Sequence, residues 1–353
     1  APGFTPEQLD LAVAIMRIVS INPFLFAIST VLTSAQQSIG RFFFFAIAPL
    51  FYNTMIIMGI MFFGDTIGVV SAAVGVAIGA MLQLFVVSLG MIGTNFRYRW
   101  GINFKDNGFR QVMTALPARS VDQGIDYINS IVETRYASGI SRIAVANYEN
   151  ALQLHNAPVM LIGIAISTAA FPRFTERISQ GRPDLFRKEF LQVLRAMIWI
   201  ALPAVIISYF AREYFARLIF KRENLEIALI FGSLAVSIFF RTMYTIISRF
   251  FYAQKDTRTP LFVSIFSIGL NIFLAYQLSR PGAYGVIGLA IAQSIVAVFE
   301  VFVLLGIMII RDTKLFNAKF VSAVVQIFSA SGFTVLVSYL AVNILPLSVG
   351  DKG

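Results

Sequence analysis

Arg249-Phe250-Phe251-Tyr252-Ala253-Gln254-Lys255-Asp256-Thr257-Arg258-Thr259-Pro260 is a short polar hinge between two long apolar runs. Lys255 and Arg258 make it cationic. Asp256, Thr257 and Thr259 are residues that cap helix ends, and Pro260 suits the first turn of a helix. The stretch therefore reads as one helix stopping and the next one starting. An echo lies earlier in the chain, at Arg41-Phe42-Phe43-Phe44-Phe45-Ala46-Ile47-Ala48-Pro49. Each hinge leads into an apolar helix with a single Asn, Asn53 or Asn271. Each of those helices passes through a Gly-containing turn to a small-residue-rich helix with one Gln, Gln83 or Gln293. The pattern predicts two related halves of a helical membrane bundle.

Composition agrees. The chain has 353 residues, 58% of them hydrophobic and 13% charged, where a soluble domain carries roughly 25% charged residues. Apolar runs of about 20 residues, long enough to cross a bilayer as helices, recur from end to end. They are continuous rather than alternating, which excludes the β-barrel pattern. The expected fold is an all-α polytopic membrane protein, a two-lobe bundle with about ten spans. These fall at residues 9–33, 42–63, 67–93, 117–138, 141–172, 188–211, 224–252, 260–278, 284–310 and 320–345. The expected division is 1–93, the remainder of an N-terminal lobe with three helices; 94–116, a cytoplasmic linker; 117–310, a C-terminal lobe with six helices; and 311–353, an added helix and tail. Ala1–Glu7 and Leu347–Gly353 both read as loops, and the chain as a fragment.

Basic residues set the orientation. Arg41; Arg97, Arg99, Lys105 and Arg110; Arg173, Arg177, Arg182, Arg187 and Lys188; Lys255 and Arg258; and Arg311, Lys314 and Lys319 all fall in one set of loops. Arg142, Arg212, Arg217, Lys221, Arg222 and Arg280 fall in the other. The richer set belongs in the cytoplasm. The net charge of +10 is thus explained by topology, and no nucleic-acid partner is expected. Phe174–Phe190 has a helical apolar pattern at Phe174, Ile178, Leu185, Phe186 and Phe190. It reads either as a helix lying on the membrane surface or as a solvated helix joining two spans.

No Cys, one His, no GxxxxGK[ST], no Ser/His/Asp set and no Gly-rich dinucleotide loop are present. Neither hydrolytic nor redox chemistry is expected, and neither a cofactor nor a metal. Polar residues at membrane depth are the informative ones, because each ionised group there costs at least about 2.5–3.5 kcal/mol. They cluster at Arg119, Asp122, Gln123, Asp126, Asn129, Glu133, Arg135, Arg142, Asn147, Glu149, Asn150, Gln153 and Asn156. Arg119, Asp122, Asp126, Asn129 and Glu133 share one helical face. That face lines a hydrophilic substrate cavity or is a set of intramembrane ion pairs, with Arg119 meeting Asp122 or Asp126. Glu300 sits in mid-span, where it is either protonated or paired with a base such as Arg241. His155 reads as a hydrogen-bonded bundle residue or a proton switch.

Phe251–Pro260, FYAQKDTRTP, closely resembles the signature of the MviN/MurJ lipid II flippases. APGF at Ala1–Phe4, RFFFFAIAP followed by Asn53, PVMLIGIAISTAAFPRFTE at Pro158–Glu176 and GVIGLAIAQS at Gly285–Ser294 are similar to family segments in the same order. The resemblance implies a superfamily of exporters built from two six-helix lobes with added C-terminal helices, and places this chain at family helices four to thirteen. It implies a monomer in the bacterial inner membrane that moves a lipid-linked peptidoglycan precursor to the periplasmic leaflet by alternating access. It makes Arg41, Lys255, Asp256, Arg258 and Pro260 the cytoplasmic hinge signature. The substrate-cavity residues it leaves are Arg119, Asp122, Gln123, Asp126, Asn129, Glu133, Asn150, Gln153, Asn53 and Asn271. The chain departs from the family pattern where an Asp-Arg pair of the eighth helix is matched by Leu152-Gln153, so Arg119, Arg135 or Arg142 would have to meet the phosphates. Some members hold sodium through an Asp on the seventh helix and an Asn and Asp on the eleventh; the matching positions are Asn129, Asn271 and Ala275. The alternatives are a polysaccharide-lipid flippase, a cation-coupled multidrug exporter of the same superfamily, or an inactive scaffold.

Overall fold

The computed structural model describes residues 5–94, 106–141, 143–220, 225–280 and 282–344. Among them the regular structure is helical throughout. The chain divides into two compact units, Phe4–Arg110 and Gln111–Gly353.

In the first unit, α1 (Pro6–Val19) opens with a capping box. Gln8 N–H donates to Thr5 Oγ1 at 3.3 Å, and Thr5 N–H donates to Gln8 Oε1 at 3.0 Å. The helix breaks at Ser20–Ile21 because Pro23, with no N–H to give, stands in the first turn of α2 (Asn22–Ser38). Together α1 and α2 make one span. The next two helices, α3 (Phe43–Ile67) and α4 (Val70–Leu89), pack backbone to backbone. A Cβ on Gly75 would lie 2.7 Å from the Met55 carbonyl oxygen, and one on Gly79 would lie 2.8 Å from that of Tyr52. Small residues permit that approach.

The second unit is built around α10 (Leu225–Ala253), the most buried of its helices. Around it lie α6 (Ala144–Pro158), α7 (Ala165–Ser179), α8 (Pro183–Phe210), α9 (Arg212–Phe220) and α12 (Val286–Arg311). α5 (Asn107–Ile140) and α11 (Arg258–Leu278) complete the interior, and α13 (Ala318–Ile344) packs on α8. A π-helical stretch, Val159–Ile164, joins α6 to α7 directly after Pro158. There Gly163 lets the chain close on α10, since a Cβ would lie 3.1 Å from Thr245 Oγ1.

Nine helices among the described residues are long and apolar enough to span. The tenth expected span, 117–138, falls in α5, which has the length but not the apolarity, because charged and amide side chains interrupt it. The expectations for Phe174–Phe190 are corrected. The segment is the end of α7, a turn at Gln180–Arg182 and the start of α8, rather than a separate helix. Phe174, Phe186 and Phe190 are core residues; Phe174 packs on Phe186 with ring centroids 5.7 Å apart, and Phe186 and Phe190 pack on Phe250 of α10 at 5.2 and 5.0 Å. Arg177 pairs with Glu189 across the turn at 2.8 Å. Sequence reading also missed α9. The linker residues 95–105 lie outside the described set.

Candidate functional site: a polar interior and an exposed polar stripe

Asn129 and Glu133 stand one turn apart on α5, so both reach the same neighbours. Glu133 is 4% exposed. Its Oε1 accepts from Asn129 Nδ2 at 3.1 Å, from Asn271 Nδ2 of α11 at 2.8 Å and from Gln293 Nε2 of α12 at 3.3 Å. Asn271 also donates to Asn129 Oδ1 at 2.8 Å. A carboxyl group is thus gripped by three carboxamides, with no basic partner among the described residues. The second buried acid, Glu300 of α12, is handled differently. It accepts from Arg241 Nη1 at 3.1 Å and from Ser264 Oγ at 2.8 Å, and Ser264 in turn meets the Tyr244 hydroxyl at 3.0 Å. Of the two states expected for Glu300, the structure has the paired one. His155 is buried against Ser237 Oγ, 3.1 Å from its Nε2, as a bundle residue.

Between the two acids is a cavity of about 200 Å³ lined by Asn129, Asn271, Ser267, Arg241 and Glu300. Asn271 Oδ1 and Ser267 Oγ, both buried, have no hydrogen-bond partner among the described residues. A space below the roughly 300 Å³ of a small-molecule pocket holds a few waters, not a disaccharide. The amide half of the polar α5 row is therefore interior to the unit. The side chains of Arg119, Asp122, Gln123 and Asp126 and residue Arg142 lie outside the described set. The positions that match the sodium ligands do not make up the family's donor set. Asn129 Oδ1 already accepts from Asn271, and Ala275 has no side-chain oxygen and is 1% exposed.

Other candidates face outward from their own unit. On α6, Ala146, Glu149, Gln153 and Asn156 form an exposed stripe at steps of three and four, with half-buried Asn150 beside it. Asn53 on α3 and Arg135 on α5 are also exposed.

The hinge is a single hydrogen-bonded device. Asp256 N–H donates to Phe251 O at 3.0 Å, and Lys255 N–H to Tyr252 O at 3.0 Å. This closes α10 with a left-handed residue at Lys255, φ 63°. Asp256 Oδ1 then accepts the N–H groups of Arg258 at 3.1 Å and Thr259 at 3.0 Å, capping α11. Its Oδ2 takes Thr259 Oγ1 at 2.6 Å and the guanidinium of Arg311, which also reaches Thr259 Oγ1. Partial burial acts to raise this carboxyl, but the Thr259 and Arg311 hydrogen bonds outweigh it and hold its pKa at about 2. Pro260 is buried in the first turn of α11. In the other hinge, Arg41 donates to the carbonyls beyond α4, to Ile92 O at 2.7 Å and more loosely to those of Gly90 and Gly93.

Paired helices joined by matching hinges, polar networks inside apolar helices and an exposed polar stripe on a helix long enough to span define an all-α polytopic membrane protein. The model of the family "Lipid II flippase MurJ" matches residues 1–349, and the chain belongs to that family. Among its relatives, "Probable lipid II flippase MurJ" of Borreliella burgdorferi is 22% identical over 88% of this chain and 62% of its own length. The protein of the same name from Thermotoga maritima is 25% identical over 92% and 66%. The chain thus spans about three fifths to two thirds of the length of these relatives. Of solved structures, "Lipid II flippase MurJ, inward closed conformation" superposes with TM-score 0.80 at 21% identity, covering 99% of this chain and 71% of that one. An outward-facing MATE multidrug transporter superposes with TM-score 0.65 at 16% identity, covering 88% and 72%. These likenesses show a shared fold. The family match runs nearly the length of the chain and does not bear out the expected fragment at family helices four to thirteen. The protein is a multi-pass protein of the bacterial cytoplasmic membrane.

Proposed function

We propose that this chain serves to move lipid II, the lipid-linked peptidoglycan precursor, from the cytoplasmic to the outer leaflet by alternating access. It acts as a monomer and does no covalent chemistry. Family membership supports the substrate. The observation that carries the transport reading is the α6 stripe. Glu149, Gln153 and Asn156 stand exposed on a helix that crosses the membrane, and polar groups against hydrocarbon cost too much to be left there without water or a polar ligand. We assign that stripe, Asn150 and the α5 residues Arg119, Asp122, Gln123 and Asp126 to the wetted path of the second unit, and Asn53 to a wetted face of the first. Arg119 and Arg135 are the guanidinium groups for the pyrophosphate, since Arg gives charge-assisted bidentate bonds to phosphate. Asn129, Glu133 and Asn271 hold the helices that carry this path.

The same reading keeps a lobe at 1–93, a linker at 94–116, a lobe at 117–310 and an added helix at 311–353. Pro49, Pro158 and Pro203 are the points where spanning helices flex. The test is a proteoliposome assay of lipid II head-group accessibility. Glu149, Gln153 and Asn156 replaced together by Leu should leave the melting temperature in place and abolish flipping, and Arg119→Glu should abolish it too. Flipping at the original rate in either variant overturns the reading. Translocation of a dye cation but not of lipid II would favour an exporter of the multidrug kind.

A further inference from the structure

A groove of about 1220 Å³ between α8 and α13 takes no part in the path described above. Its two walls run in register: Lys188 to Trp199 on α8 and Lys319 to Ala330 on α13 each cover about 17 Å at the helical rise. That is a little over half of the roughly 30 Å hydrocarbon thickness, the depth of one leaflet. Leu191, Trp199, Phe320 and Ile327 make it largely apolar along its length. Lys188, Lys314 and Lys319 make its outer end cationic, and Arg195 stands further in.

These four cations are not neutralised by the described residues. The acids near them, Asp184 and Asp312, are both engaged by Arg187. Lys188, Arg195, Lys314 and Lys319 are exposed and form no ion pair among the described residues. Arg195 is the sharpest case. It lies about 10 Å along α8 beyond Lys188 and faces the groove, where a guanidinium demands an anion or water. Three cations at the mouth of a largely apolar slot one leaflet deep, with Arg195 able to extend toward them from within it, match an anionic head group with its acyl chains below.

We propose that the α8–α13 groove is a binding site for an anionic glycerophospholipid of the leaflet that meets the basic loops. The site is distinct from the transport path and does not rest on the flippase reading. The phosphate sits among Lys188, Arg195, Lys314 and Lys319, and an acyl chain lies along Leu191, Trp199 and Ile327.

Trp199 provides the probe, the other tryptophan being Trp100. In the W100F protein, Trp199 fluorescence is measured in vesicles of phosphatidylcholine doped with brominated phosphatidylglycerol or, separately, with brominated phosphatidylcholine. The anionic quencher should compete for Trp199 at least about fivefold better, since each cation near a membrane surface contributes about that factor. Replacing Lys188 and Lys319 by Gln should remove most of this preference. Arg195→Gln should lower it by about fivefold, and replacing the two lysines by Arg should keep it. Equal quenching by the two lipids in the W100F protein overturns the proposal without any further variant. So does a preference that survives both Gln variants, or displacement of the quencher by a polyprenyl pyrophosphate lipid at lower concentration than by phosphatidylglycerol.

Discussion

The α3–α4 pair and the α11–α12 pair are the same device used for two purposes. Both turn on a glycine in one uncommon conformation, φ 57° and ψ −136° at Gly68, φ 57° and ψ −133° at Gly285. A side chain at either would be strained. Both pairs follow a polar hinge, and in both an arginine ties that hinge to the end of the second helix. The tie is reversed between them. Arg41 reaches from the first hinge to carbonyls past α4, whereas Arg311 reaches from the end of α12 back to Asp256. The interiors differ more. The first pair is dry and closed by Gly59, Gly75 and Gly79, leaving Asn53 exposed. The second buries Asn271 and gathers Gln293 and Glu133 around it. Backbone punctuation sets the shape, and a few side chains decide whether the contact is dry or polar.

The comparison breaks most easily where the polar version has a charge to strand. Arg241→Met leaves Glu300, 2% exposed, without its base and should cost about 3–5 kcal/mol in chemical unfolding. Replacing both residues with apolar ones should recover most of the loss; a double variant no better than the single would show that the pair is not coupled. The dry version breaks by overpacking. Gly75→Ala places a methyl 2.7 Å from a backbone oxygen and should cost about 1–3 kcal/mol. Gly332→Ala, with nothing within 4 Å, should be neutral or slightly stabilising in the same thermal melts.

The hinges sharpen the contrast. Asp256→Ala removes a helix cap and should cost about 1 kcal/mol, with a smaller part from the half-exposed Arg311 pair. The Asp256 carboxyl has its pKa lowered from 3.8 to about 2 by folding. Its contribution is therefore complete above about pH 4 and is lost as pH falls through 2. Wild type should lose its advantage over Asp256→Ala in that window, and an advantage that is constant with pH would remove Asp256 as the source. The smallest effect is expected at Lys255→Gly. Relief of the left-handed conformation is partly cancelled by the greater freedom of glycine in the unfolded chain, for a gain below about 1 kcal/mol.

Much of this was legible because helix punctuation is local. The hinge at 249–260, the Gly turns and nearly every span follow from residues that stop or start helices wherever they occur. The span ends at 225–253 and 258–278 differ from the expected ones by a residue or two. What was illegible depends on partners far along the chain. The aromatics of Phe174–Phe190 have the spacing of a surface helix, and only the arrival of Phe250 from α10 makes them core. Asn271 and Asn53 hold matching places in the sequence, yet Asn53 is exposed and Asn271 is buried, because α5 brings Asn129 and Glu133 against Asn271. Of the basic positions lining the α8–α13 groove, Lys188, Lys314 and Lys319 were read for topology alone and Arg195 was not singled out, since no single stretch carries all of them.

The π-helical stretch at Val159–Ile164 has a consequence for the helix that contains it. Upstream the outward azimuth carries Glu149, Gln153 and Asn156; within the stretch Met160, Leu161 and Ile164 are bare. Because the wider turn resets the screw, the chain on either side is free to choose its own direction. Deleting one residue there would restore a uniform spiral and swing everything beyond it by about 100°, carrying its oily flank away from the oil.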